Sequence, residues 1–99
     1  MVKKVARYRF SNKFKKDYQR LTKEIQKRFD DKLALFLEDM DYPSLRVKKI
    51  QGKKNRWEGS LTDSYRFTFE FDDGLVLFRV IGTHDILQRE SRSGSLVIG

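Results

Sequence analysis

The most regular pattern of hydrophobic and polar positions lies in the second half of the chain, where it predicts consecutive antiparallel strands. In residues 65–71, Tyr and Phe alternate with Arg, Thr and Glu, the period-two pattern of a strand with one buried face. Asp73 and Gly74 follow within two residues, and Asp-Gly between two apolar runs predicts a tight hairpin. The next run, residues 75–81, is apolar at nearly every position except Arg79, which is typical of a strand in the interior of a sheet.

A third strand is predicted just upstream, in residues 57–61, which also alternate in character. If the connecting turn is residues 62–64, Ser60 faces Arg66 and every large apolar side chain stays on one face of the sheet. The same register gathers polar side chains on the opposite face, near the point where His84 follows the last strand. These side chains are Glu58, Ser60, Arg66 and Thr68.

The first half of the chain predicts a short strand and two helices. Residues 6–10 alternate apolar and basic side chains, and Ser11 or Asn12 is placed to cap a following helix. Thr22 is placed to cap a second helix, so a helical hairpin is preferred over one long helix, the alternative that the pattern leaves open. Pro43 ends the helical region. The apolar stripe at helical spacing contains Phe14, Tyr18, Leu21, Ile25, Phe29, Leu33, Phe36, Leu37 and Met40.

These elements predict an α+β fold in the order β-α-α-β-β-β-β, with the helices packed on one face of an antiparallel sheet. Residues 46–50 are a weak strand candidate, and residues 51–55 form a polar loop. A chain of 99 residues fits a single domain, residues 1–99. Residues 88–99 are expected to form a poorly ordered tail.

Composition narrows the environment and the partners. The chain has 22 Lys and Arg against 14 Asp and Glu, a formal charge of +8 and a pI near 9.9, which favours nucleic acid or an acidic protein as partner. The absence of cysteine excludes a disulfide partner and thiolate chemistry, as expected in the cytoplasm. The chain lacks a long apolar segment of the kind that forms a signal peptide or a membrane span, so no membrane partner is expected.

The charges are also unevenly distributed along the chain. Residues 3–28 hold eleven basic side chains and two acidic ones, and residues 46–56 hold six basic side chains and none that is acidic. Between these stretches, five acidic residues are accompanied by Lys32 alone. A polarised surface is therefore predicted, although a merely soluble, lysine-rich surface is the alternative.

Several kinds of chemistry lack the residues that they need. One His and no Cys do not make a zinc site, and the glycines do not form a phosphate-binding or dinucleotide-binding motif. No Ser lies in a nucleophile elbow. No metal and no cofactor are therefore expected.

A general acid–base site remains possible. His84 lies where an apolar strand ends, Arg66 offers a bidentate guanidinium to phosphate oxygens, and Glu58 is a candidate proton acceptor. Each also has a plainer interpretation: an incidental histidine at a strand end, and ordinary surface ion pairs of Arg66 and Glu58. Metal-free RNA cleavage needs a base for the 2′-hydroxyl, cations for the charged phosphorane and an acid for the leaving oxygen. These three side chains could meet those needs.

The candidate RNA-binding residues are basic side chains around the polar loop and on the last strand. They are Lys48, Lys49, Lys53, Lys54, Arg56 and Arg79. The plain alternative is a solvated basic loop, and the face to which Arg79 belongs is not decided by alternation alone.

Nearly the whole chain resembles the RelE/ParE superfamily of bacterial and archaeal toxin–antitoxin toxins. The resemblance rests on an N-terminal strand, a basic helical hairpin and three later segments: LRVKKIQGKKNRWEGSL, YRFTFEF and VLFRVIGTHDIL. It implies that Arg66 contributes to mRNA cleavage, as in the RelE and YoeB branches, and that His84 matches the catalytic histidine of the YoeB and YafQ branches. Lys53 and Lys54 are similar in position to the catalytic lysines of RelE. The aromatic residue that follows the histidine in YoeB-like and YafQ-like toxins has no counterpart in residues 85–88.

The resemblance implies a toxin that cleaves mRNA on the ribosome as a metal-independent endoribonuclease, with catalytic residues Arg66, His84 and Glu58. The implied partners are a cognate antitoxin, mRNA and the ribosome. Two alternatives stay open: a ParE-like inhibitor that acts by binding DNA gyrase, and a non-catalytic RNA- or protein-binding module on the same scaffold.

Overall fold

The computed structural model describes residues 4–85, and the predicted tail at residues 88–99 lies outside them. The elements follow the predicted order. They are β1 (Tyr8–Phe10), α1 (Asn12–Gln19), α2 (Lys23–Glu38), a short 3-10 helix (Pro43–Leu45), β2 (Lys48–Lys49), β3 (Trp57–Ser60), β4 (Tyr65–Asp72) and β5 (Leu75–Thr83).

The five strands form one sheet in the order β1-β5-β4-β3-β2. All neighbouring strands are antiparallel except β1 and β5, which are parallel. The α+β fold class is confirmed, and so is the interior position of β5, which has a strand on each side. The parallel pair joins strands from opposite ends of the described chain, so no local sequence pattern predicts it.

The helical hairpin is confirmed together with its caps. The Ser11 hydroxyl accepts a hydrogen bond from the backbone N–H of Phe14 at 2.9 Å and begins α1. The Thr22 hydroxyl accepts from the N–H of Ile25 at 3.3 Å and begins α2. The cap at Thr22 lies within the apolar stripe and divides it into two helices.

The helices cover one face of the sheet and enclose an aromatic core. The Phe36 ring on α2 lies 5.0 Å from the Phe69 ring on β4 and 5.3 Å from the Phe78 ring on β5, measured between centroids. The buried aromatic residues are Phe14, Phe29, Phe36, Phe67, Phe69 and Phe78. The face of β4 that alternation predicts to be apolar is therefore the face that packs against the helices.

The β4–β5 hairpin contains a tight turn and a bulge. Asp73 and Gly74 have φ angles of 51° and 85°, which suit a two-residue turn of the type that Asp-Gly favours. Further along, Thr68 pairs with Val80 but Phe69 pairs with Phe78, so Arg79 is an extra residue in β5. The bulge allows Phe78 and Ile81, three positions apart, to face the same core. It also explains why β5 shows no simple alternation.

Candidate functional site

We call the sheet surface opposite the helices the open face because the helices do not cover it, although its central side chains Glu58, Thr68 and Val80 are buried. Strand pairing arranges its side chains in three rows across the sheet, and successive rows lie two residues apart along a strand, about 7 Å. The first row contains Ser60, Arg66 and Gly82. The second row contains Lys48, Glu58, Thr68 and Val80, and Arg79 lies beside it at the bulge. The third row contains Arg56, Glu70, Leu77 and Arg9. The predicted grouping of Glu58, Ser60, Arg66 and Thr68 on one face is confirmed.

Arg66 is half-buried and its guanidinium is attached to the turn between β3 and β4. Its Nη1 donates to the carbonyl oxygen of Thr62 and, at 3.0 Å, to that of Tyr65. The turn is itself fixed, because the Thr62 hydroxyl accepts from the N–H groups of Ser64 and Tyr65, each at 3.1 Å. The guanidinium is therefore oriented before any ligand arrives.

His84 is exposed and follows directly after β5. It comes two residues after Gly82, which is the β5 partner of Arg66. The fold thus brings the backbone positions of His84 and Arg66 to the same end of the sheet, although they are 18 positions apart in the chain.

Glu58 lies on the open face one row away from Arg66, with only 7% of its surface exposed. Its Oε1 is 3.4 Å from the Nζ of Lys48, the residue that it faces across β2 and β3. The ion pair with Lys48 compensates the charge of this buried carboxylate. Lys48, whose side chain is 73% exposed, is the part of this pair that reaches solvent.

The six candidate RNA-binding cations do not form one continuous patch. Consecutive strand residues point to opposite faces, so Lys48 belongs to the open face while Lys49 faces Trp57 on the helix-covered side. Lys53 and Lys54 lie in the loop that joins β2 to β3. The remaining two, Arg56 and Arg79, lie on the open face.

Arg56 and Arg79 converge on a single carboxylate, Glu70. The Glu70 Oε1 lies 2.6 Å from the Nη1 of Arg79 and 3.5 Å from the Nε of Arg56. All three side chains are partly buried, with between 22% and 27% of their surface exposed. The bulge thus assigns Arg79 to the open face, which alternation had left undecided.

Sequence reasoning missed two members of the open face. Arg9 lies there because β1 pairs in parallel with β5, which places Arg9 beside Leu77. Glu70 was not singled out, although alternation puts it on the same face of β4 as Arg66, and in the structure it binds the two other arginines. The alternation of basic residues in β1 was the available signal for Arg9, but the sequence did not predict the strand with which β1 pairs.

The helical layer has a groove of its own, on the other side of the sheet. It has a volume of about 460 Å³ and is lined by Phe10, Phe14, Lys15, Tyr18, Gln19, Phe29, Asp30 and Leu33. At its rim the Tyr18 hydroxyl donates to Asp30 at 2.8 Å. Burial, together with this hydrogen bond and the charge of Asp30, raises the pKa of Tyr18 above its ordinary value. Tyr18 is therefore a neutral donor at physiological pH.

Among residues 4–85, no group of three or more His, Asp or Glu side chains is arranged to bind a metal ion. No helix in this part of the chain is both long enough and apolar enough to span a membrane.

No family model and no curated protein matches this sequence. Solved structures do match the fold. YafQ from E. coli strain BL21(DE3) superposes with a TM-score of 0.69 at 18% identity, over 81% of this chain and 94% of YafQ. The RelB–RelE antitoxin–toxin complex from Methanococcus jannaschii gives a TM-score of 0.65 at 20% identity, over 82% of this chain and 95% of the matched one.

A mutant of the E. coli toxin RelE in the free state gives a TM-score of 0.67 at 18% identity, covering 90% of this chain and 96% of RelE. These likenesses extend over almost the whole length of the matched toxins. The chain therefore has the fold seen in the RelE and YafQ structures.

Proposed function

We propose that this protein is the toxin of a type II toxin–antitoxin system and that it cleaves mRNA on the ribosome without a metal ion. The observation that carries the proposal is the register of β3, β4 and β5. It puts Arg66 in the first row of the open face, next to the end of β5 where His84 follows. The fold shared with RelE and YafQ supports the same function.

The proposed reaction is an attack of the 2′-hydroxyl oxygen on the adjacent phosphorus. One of Glu58 and His84 removes the 2′-hydroxyl proton, and the other donates a proton to the departing 5′-oxygen as its bond to phosphorus breaks. Arg66 stabilises the negative charge that accumulates on the phosphorane oxygens. The products are a 2′,3′-cyclic phosphate and a 5′-hydroxyl, and no other reactant is consumed.

The proposed partners are the ribosome with its mRNA and an antitoxin that blocks the toxin. Solved neighbours with this fold are RelB–RelE and DinJ–YafQ complexes, in which the toxin is bound to its antitoxin. The charge of +8 on this chain suits both an RNA backbone and an acidic antitoxin segment. Such a system would operate in the cytoplasm, where ribosomes are.

The test is primer extension on a translated mRNA in cells that express the toxin without antitoxin. Wild type is compared with His84→Ala, Arg66→Ala and Arg66→Lys. The control is Arg28→Ala, which removes an exposed arginine on α2, away from the open face. We expect discrete cuts in wild type and Arg28→Ala. In His84→Ala and Arg66→Ala, cleavage should fall by at least about a hundredfold. Arg66→Lys should not restore full activity, because lysine cannot donate a bidentate pair.

Other outcomes would redirect the proposal. Growth arrest without mRNA cuts would refute the ribonuclease and favour a protein target such as gyrase, with induction of DNA-damage signalling as its signature. Neither arrest nor cuts would indicate a binding module. In an assay with purified toxin and ribosomes at constant free Mg²⁺, cleavage that requires an added second divalent metal ion would refute the metal-free mechanism.

A further inference from the structure

The third row of the open face, together with Arg79 at the bulge beside it, holds a cluster of arginines around the Glu70 carboxylate. The proposed chemistry does not use this cluster. Arg56 and Arg79 both contact Glu70, and Arg9 reaches the same row from β1. Three positive charges and one negative charge are thus collected on the face that also carries Arg66. We propose that this row is a second phosphate-binding subsite for the RNA backbone, with Glu70 as the residue that positions its arginines. The inference rests on the proposed function, because it concerns the same RNA.

The separation of the two sites follows from strand geometry. Arg66 and Glu70 are four residues apart on β4 and on the same face, so their backbone positions lie about 13 Å apart. That distance corresponds to roughly four stacked nucleotides of one strand. The third row therefore holds a phosphate that is not the one being cleaved, and the RNA strand runs along β4 and β5.

Glu70 has a positioning role because two neighbouring guanidinium groups repel each other. The 2.6 Å contact to Arg79 and the 3.5 Å contact to Arg56 hold both groups near the same oxygen, Oε1, of a single carboxylate. The backbone of Arg79 is fixed as well, since the Ser11 hydroxyl donates to its carbonyl oxygen at 2.6 Å. Partial burial limits the screening of these contacts by solvent. The arginines are thus preorganised for an anion, and a phosphate oxygen adds to the cluster with little reordering.

The experiment compares two carboxylate-to-amide variants that should change affinity in opposite directions. The full-length chain is titrated into a labelled oligonucleotide with 2′-O-methyl groups, which cannot be cleaved, of roughly twelve nucleotides so that it spans both sites. The matched control for Glu70→Gln is Asp72→Asn, because Asp72 is exposed and lies two residues further along the same strand. Fluorescence anisotropy at several salt concentrations gives Kd and the number of phosphates contacted.

Removing any ordinary surface carboxylate strengthens polyanion binding, so Asp72→Asn should bind up to about twofold more tightly than wild type. Glu70→Gln removes the same charge but should bind about three- to tenfold more weakly than wild type. Its salt slope, the slope of log binding constant against log salt concentration, should be smaller in magnitude by about one. Arg9→Gln, on the exposed edge strand, should also reduce the slope by about one. It serves as the second variant if Glu70→Gln does not fold at the assay temperature.

Glu70→Gln binding as tightly as Asp72→Asn, or Arg9→Gln leaving the salt slope unchanged, overturns the subsite. The two proposals fail separately. Cleavage by wild type together with tighter binding by Glu70→Gln retains the ribonuclease and removes the subsite. Weaker binding by Glu70→Gln in a protein that cuts no mRNA retains a polyanion site and removes the ribonuclease. No binding by wild type overturns the subsite, and the primer-extension test decides the ribonuclease separately.

Discussion

The two faces of the sheet are built from the same strands and are held together by different forces. On β4, Phe67 and Phe69 face the helices and have 1% and 0% of their surface exposed. On the same strand, Arg66 and Glu70 face the other way and are held by hydrogen bonds and ion pairs. The period of two along the strand separates a packed apolar face from an ordered polar one, one residue apart.

This difference has an energetic and a functional meaning. Burial of an aromatic side chain contributes several kcal/mol, whereas partly exposed ion pairs contribute little, about 0–1 kcal/mol each. The helix-covered face should therefore account for most of the stability of the fold. The open face can present charged groups for RNA at small cost to stability, provided that their positions are fixed by neighbours such as Thr62 and Ser11.

The largest expected effect breaks the core directly. Phe36→Ala removes a fully buried ring that contacts Phe69 and Phe78, so we expect a loss of about 3–5 kcal/mol in the free energy of unfolding. Arg66→Ala should cost no more than about 1 kcal/mol. Chemical denaturation monitored by circular dichroism measures both. If Arg66→Ala lowered the free energy of unfolding as much as Phe36→Ala, the helix-covered face would not be the main source of stability.

An intermediate effect is expected at Gly59, where the backbone of β3 approaches the core ring of Phe67. A Cβ at Gly59 would lie 2.3 Å from the Phe67 Cζ, so the ring would have to move. We expect Gly59→Ala to lower the free energy of unfolding by about 1–3 kcal/mol. The neighbouring Ser60→Ala, on the open face, is the control and should change it by less than about 0.5 kcal/mol. Equal melting temperatures for the two variants would show that the sheet absorbs the clash.

The smallest expected effect concerns Ser11, which links the two faces. Its hydroxyl caps α1 by accepting from Phe14 and donates to the carbonyl of Arg79 in the bulge. Ser11→Ala should cost about 1 kcal/mol in unfolding free energy, and Ser11→Thr should recover most of it because threonine also caps helices. Thermal unfolding of these variants beside Asn12→Ala, the exposed next residue, measures the effect. An unchanged melting temperature for Ser11→Ala would mean that the cap and the bulge contact contribute nothing.

The candidate site was partly visible in the sequence because register follows from alternation and turn position. Once residues 62–64 are taken as a turn, Ser60 must face Arg66, and the structure has that pairing. The partners of the charged side chains were not visible, since Glu70 has arginines within reach on both neighbouring strands. Its contact with Arg79 depends on the bulge, because a bulge changes the face of every residue beyond it.

The sequence by itself determined the elements whose signals are local. The caps at Ser11 and Thr22, the Asp73-Gly74 turn and the alternation in β4 each act within a few residues, and all are present in the structure. Only the tertiary structure decided that β1 adds in parallel beside β5, which brings Arg9 to the open face. That pairing depends on how the helical hairpin packs across the sheet. Contacts between distant segments are selected by the burial of the whole aromatic core, a quantity that no short stretch of sequence contains.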